Sequence, residues 1–182
     1  MTVIFTEEPS MELVLRDLIG RHFPSALEFA DWMIVSHSGK SDLEKQFPDR
    51  MRRWGSWGNP SFVILRDNDG GDCGALKEHL ASLAAVSGHP FKVRIVCQEL
   101  EGWLIGDSAA VTAAYPRCRF SNNTAKYRNP DRLTNAAEEL AQLTGDLTKR
   151  TRASRIAVHL DPARNVSHSF QLLFETLKQH LE

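Results

Sequence analysis

Short apolar runs alternate with amphipathic stretches through the first hundred residues. Phe62-Val63-Ile64-Leu65 is apolar throughout and stops in Arg66-Asp67-Asn68-Asp69-Gly70-Gly71-Asp72. A continuous run ending in a turn cluster reads as a strand buried on both faces. Val3 to Thr6 reads as an earlier strand. A helix follows it, capped at Ser10, with Met11, Val14, Leu15, Leu18 and Ile19 at helical spacing. Leu27 to Val35 predicts a second strand, and Asp42 to Trp54 a helix capped by Ser38 or Ser41. Gly55 to Pro60 predicts a loop. Cys73 to Val86 predicts a helix and Phe91 to Val96 a further strand.

Strands that alternate with helices imply a parallel sheet covered on both faces. Past Trp103 the pattern predicts helices at Ser108–Tyr115, Arg132–Leu143 and Ala153–Leu160, and one from about Phe170 to the end. Pro116–Pro130 and the basic stretch Leu147–Arg152 lie between them. The expected organisation is an α/β core over 1–110 and a helical, basic extension over 111–182 packed on it, one compact domain in all.

Composition narrows the class. The chain has 182 residues, 42% hydrophobic and 25% charged, as in an ordinary globular domain. No apolar run reaches the length of a membrane span, and the N-terminus lacks the basic region of a signal peptide. Three widely spaced cysteines argue against a disulfide framework or a zinc knuckle and for a reducing cytoplasm. Residues 1–110 carry 11 Lys and Arg against 16 Asp and Glu, while residues 111–182 carry 11 against 7. An acidic front and a basic back suit a metal-using protein that meets a polyanion, although solvated helix faces give the same imbalance.

The candidate chemistry lies at strand ends. Glu7 and Glu8 follow the first strand, Asp67 and Asp69 a later one, and Glu99 and Glu101 the last. In a parallel sheet these ends share one edge, where open α/β sheets place ligands. Crowded carboxylates repel unless something offsets them, and a hard divalent cation does so through oxygen ligands. A polar turn in which Asp72 caps the next helix is the simpler reading of the same stretch. His37-Ser38-Gly39-Lys40-Ser41 is not a nucleotide P-loop, because the glycine required five residues earlier is Ile34. Trp103 reads as core, and Ser167 and Ser169 as caps of the last helix.

A glutamate after the first strand and D-x-D after a later one resemble the Toprim domain of topoisomerases, DnaG-type primases and OLD-family nucleases. The chain is similar, more closely, to a bacterial Toprim-like family catalogued as domain of unknown function 4276. The stretches that carry this are Glu7-Glu8-Pro9-Ser10, Gly39-Lys40-Ser41-Asp42-Leu43, Asp67 to Cys73, Glu99-Leu100-Glu101-Gly102-Trp103-Leu104 and Ser167-His168-Ser169-Phe170. The resemblance implies a Toprim-like, Rossmann-like fold. It implies a Mg²⁺- or Mn²⁺-dependent nuclease acting on DNA or RNA in a bacterial anti-phage or mobile-element system. The alternative it implies is a non-catalytic subunit that binds a partner ATPase. Glu7, Asp67, Asp69 and Lys149 are the implied catalytic set. Glu7, Asp67, Asp69, Glu99 and Glu101 are the implied metal ligands, and Arg150, Arg152 and Arg155 the implied nucleic-acid contacts. OLD-type nucleases place a second acidic residue four positions after the first glutamate. Here that position is Met11 counted from Glu7, or Glu12 counted from Glu8.

Overall fold

The computed structural model describes residues 1–54 and 59–182. Most of the expected Gly55–Pro60 loop thus lies outside the described residues. Among the described residues four strands form one sheet: β1 (Thr2–Thr6), β2 (Trp32–Ser36), β3 (Ser61–Asp67) and β4 (Phe91–Val96). Their order is β2-β1-β3-β4 and every pairing is parallel. Among the described residues eight α-helices flank it: α1 (Pro9–His22), α2 (Lys40–Trp54), α3 (Cys73–Ala85), α4 (Leu100–Ile105), α5 (Ser108–Ala114), α6 (Ala136–Thr144), α7 (Lys149–Ala157) and α8 (His168–Leu181). The Toprim-like α/β architecture expected from the sequence is the one observed.

Strand alternation divides the core in two. Ile4, Val63 and Leu65 face a cluster that includes α1, α4 and the later helices. Val3, Phe5, Phe62 and Ile64 face the opposite way, toward Leu43, Phe47 and Met51 of α2 and Leu80 and Ala84 of α3. Both faces are covered, which is why β3 reads as an unbroken apolar run. Crossovers of one hand place α1, leading outward to β2, on the opposite face from α2 and α3, which lead the other way. The chain therefore leaves β1 and β3 in opposite directions, and their carboxyl ends form the switch point where open α/β sheets place ligands. Ala136, Leu140, Ala153, Ile156, Leu160, Phe170, Leu173 and Leu177 join the same cluster as α1, so residues after 111 bury the α1 face of the sheet.

Several boundaries differ from expectation for identifiable reasons. β2 is confined to Trp32–Ser36 because residues 27–31 form a turn. Leu27 N–H donates to the Asp31 carboxylate at 2.8 Å, Asp31 N–H returns to Leu27 O at 2.8 Å, and Phe29 takes a φ of 65°. An apolar run alone does not reveal that turn. α1 begins at Pro9, whose fixed φ suits a first helical position; Ser10 lies inside the helix and donates to Glu8 Oε1 at 2.5 Å. α4 has every residue buried, so its sequence carries no amphipathic period to predict it from. The basic stretch before Ala153 is helical too, as the start of α7. Asp72 caps α3, accepting from Gly74 and Ala75 N–H at 2.7 and 3.0 Å, and Ser167 caps α8. Among the described residues no helix is long and apolar enough to cross a membrane.

Candidate active site at the carboxyl edge of the sheet

Register sets the centre of the site. Thr6 pairs with Leu65, so the residues that follow them leave β1 and β3 side by side. Asp67 N–H donates to Glu7 Oε2 at 3.2 Å. Arg66 Nε stands 3.8 Å from the same oxygen, and its Nη1 reaches Glu44 Oε1 at 2.9 Å. Glu7 is thus the glutamate that faces β3. Glu8 turns toward α7 instead, where Lys149 Nζ lies 2.8 Å from its Oε1 and 3.6 Å from Glu101 Oε2.

Asp67 is one of two nearly buried acids of the group. It is only 4% exposed, and its Oδ1 is buried without a hydrogen-bond partner. Burial raises its carboxyl well above the usual carboxylate range; Lys149 pulls the other way, and Glu7, Glu8 and Glu101 add to the rise. Burial, then the neighbouring Asp69, also raises Glu7, against the opposing Asp67 N–H and Arg66. Glu101, 1% exposed, is raised by burial in spite of Lys149. Burial works against the Lys149 charge, but Glu101 and Glu8 outweigh it and hold the ammonium protonated. The site is a cluster of acids with one lysine set among them, 82 or more residues away in sequence from Glu8 and Asp67 alike.

Asp69 stands apart. It is exposed, with φ 49° in the left-handed region that aspartate tolerates, and its Oδ2 meets Lys40 Nζ at 3.2 Å. Asn68 fixes this turn: its side chain donates to Gly71 O and accepts from Gln98 N–H at 2.6 Å. Glu99 is directed elsewhere, because its Oε2 accepts from Ala137 N–H at 2.8 Å and so satisfies the start of α6. Among the described residues no three Asp, Glu, His or Cys side chains converge as a ready-made metal cage. Mg²⁺ does not require one, since it keeps several waters and takes one or two carboxylates together with substrate phosphate. The unpartnered Asp67 oxygen beside Glu7 fits that mode.

The basic residues separate. Arg150 and Arg155 are exposed, and Arg155 lies over the Tyr115 ring at 5.4 Å. Arg152, expected to contact nucleic acid, is 3% exposed and is committed inward, to Asp146 O at 2.7 Å and Glu101 Oε1 at 3.5 Å. Burial leaves it no surface for phosphate. Glu12 is held at 3.0 Å by Arg16, and Met11 is fully buried, so neither brings a second acid to the site. Sequence reading missed Arg66 and Asn68. Their only signal was position, flanking Asp67 at the end of a buried strand. Trp103 is core as expected: its Nε1 donates to Ser169 Oγ at 2.8 Å, and Asp131 accepts from Ser167 Oγ at 2.6 Å and Ser169 N at 2.8 Å.

Comparison with known proteins bears on this arrangement. Residues 6–178 match the family described as "Domain of unknown function (DUF4276)". The C-terminal region of the Burkholderia pseudomallei OLD protein has the same fold, with a TM-score of 0.57 at 16% identity, over 100% of this chain and 98% of that one. The C-terminal region of the Xanthomonas campestris pv. campestris OLD protein superposes with a TM-score of 0.52 at 16% identity, over 99% and 95%. Among curated proteins, none matches the sequence.

Proposed function

We propose a function from one premise: the chain belongs to the DUF4276 family. It is a Mg²⁺-dependent nuclease that hydrolyses phosphodiester bonds in DNA or RNA, working beside a partner ATPase in a bacterial anti-phage or mobile-element system. The observation that carries this reading is Asp67. A buried carboxylate with an unpartnered oxygen, set among Glu7, Glu8 and Glu101, is costly for a fold to keep without a use. Glu7 and Asp67 are the proposed primary ligands, with Asp69 within reach of an outer position and Glu101 behind Lys149. A bound Mg²⁺ or Mn²⁺ supplies charge neutralisation at the phosphate and an activated water.

The chain's own residues supply the rest. The Asp67 amide and Arg66 orient Glu7. Lys149, kept charged by Glu101 and Glu8, offers a fixed cation to the charge that develops on the phosphate. Arg150 and Arg155, exposed on α7, extend that positive surface along a nucleic-acid backbone. The test is incubation of the purified protein with plasmid, single-stranded DNA and tRNA, with and without Mg²⁺ or Mn²⁺, beside Asp67→Asn. Metal-dependent cleavage that falls to background in the variant is the expected result. Cleavage that persists unchanged removes this site from the mechanism.

Two observations favour a second reading. Lys149 already offsets Glu8 and Glu101 by ion pairs, and Met11 stands where OLD-type nucleases place an acid. Both suit a non-catalytic subunit that keeps the shape and docks on an ATPase. Co-purification with the ATPase, and no metal-dependent cleavage in the assembled complex, is the outcome that selects it.

A further inference from the structure

Two thiols flank the acidic turn. Cys73 is the first residue of α3 and Cys97 follows β4 directly, so adjacent elements of the sheet edge bring them together across 24 residues. Their sulfurs are 4.0 Å apart, and both residues are half-buried. They line a cavity of about 270 Å³ with Lys77, Arg94, His168 and Leu172, which gives a small oxidant a path to them. The third cysteine, Cys118, is buried in the main core.

We propose that Cys73 and Cys97 are a thiol-modification site that forms a reversible intramolecular disulfide. A disulfide places its sulfurs about 2.0 Å apart, so rotation of the two side chains toward each other has to close the remaining gap. The oxidant is a hydroperoxide. One thiol attacks the peroxide oxygen, the O–O bond breaks, an alcohol or water leaves, and the sulfur becomes a sulfenic acid. The second sulfur then attacks the first; the S–S bond forms, the S–O bond breaks, and the hydroxyl leaves as water with the second thiol's proton. Two thiols lose two electrons and two protons, and the peroxide is reduced.

The bond has a local consequence. Asn68 Nδ2 donates to Cys73 Sγ at 3.0 Å, while Asn68 Oδ1 accepts from Gly70 N–H and Gln98 N–H. Drawing Cys73 toward Cys97 loosens the side chain that pins the Asp67–Asp69 turn. Any effect on metal-dependent cleavage rests on the proposed nuclease reading; formation of the bond does not.

The experiment therefore reads the bond itself. The protein is treated with hydrogen peroxide, denatured, alkylated and digested with trypsin without reductant. Cleavage after Arg66, Lys77, Arg94 and Arg117 puts the three cysteines in separate peptides. The expected product joins Asp67–Lys77 to Ile95–Arg117, is lost on dithiothreitol treatment, and is missing from both Cys73→Ser and Cys97→Ser. Free thiols in the denatured protein fall from three to one. Three thiols still alkylated, a sulfinic acid at Cys73 without the linked peptide, or a disulfide-linked dimer on a non-reducing gel would each overturn the proposal.

Discussion

Asp67→Asn separates the energetic role of the acidic cluster from its chemical one. The substitution keeps the side-chain shape and removes a buried charge that has no partner for Oδ1 and three acids around it. Leaving a buried polar group unsatisfied costs about 1–3 kcal/mol, and more when it is charged. The amide retains one polar atom to satisfy, so the expected gain for the metal-free protein near neutral pH is about 1–2 kcal/mol. For a domain of this size that corresponds to roughly 2–8 °C in Tm. The pH dependence has a definite sign. The folded-state pKa of Asp67 lies above its unfolded value, so the acid carries no penalty when both states are protonated. The penalty grows as pH rises past about 4, where the unfolded chain ionises, and levels off above the raised folded value. The advantage of Asp67→Asn in EDTA should therefore widen with rising pH over that window. Mg²⁺ should act in the opposite sense, raising the wild-type Tm and leaving the variant unmoved; at a hundred times its Kd, a ligand adds about 2.7 kcal/mol. Thermal melts of both proteins, in EDTA and in Mg²⁺, from pH 4 to pH 8 test this. A variant less stable than wild type in EDTA, or an equal Mg²⁺ shift in both, would refute the reasoning.

Three further substitutions probe the frame around the site. Arg152→Ala leaves Glu101 buried with only the half-exposed Lys149 near it and should cost about 3–5 kcal/mol by urea denaturation; a loss below about 1 kcal/mol would place Arg152 among the weak surface pairs. Asp131→Asn weakens the bonds that tie Ser167 and Ser169 to the turn at Pro130–Arg132, so about 2 kcal/mol should go. A change in tryptophan emission should accompany it, because Ser169 holds the Trp103 indole; an unaltered spectrum and Tm would count against the network. Glu99→Gln should lower stability by no more than about 1 kcal/mol through its contact at the start of α6 and leave the Mg²⁺ shift intact. Loss of that shift would instead return Glu99 to the metal.

Much of the frame was legible in the linear pattern. β3 and β4 and the helices on Met11–Ile19 and Cys73–Ala85 follow from runs and spacings, because burial on one or two faces writes itself into local periodicity. The cap at Asp72 and the acidic turn behind it are local as well, set by residues within a few positions of one another. Elements without period were not legible: α4 is buried all round, and the turn at 27–31 depends on the single side chain of Asp31.

The sequence by itself determined a parallel α/β sheet with acids at three strand ends. Only the tertiary structure decided which acids meet. Glu7 and Glu8 are neighbours in the chain, yet one accepts from the β3 backbone and the other from Lys149 on α7. Glu99 and Glu101 part in the same way, to the start of α6 and to Arg152. Arg150 and Arg152 end on opposite sides of the protein surface, one exposed and one buried. The physical reason is common to all three pairs. Local pattern fixes which element a residue belongs to, but the partner of a charged side chain depends on the packing of elements far away in sequence, and burial there decides whether a charge is paired, shifted in its titration or left without a partner.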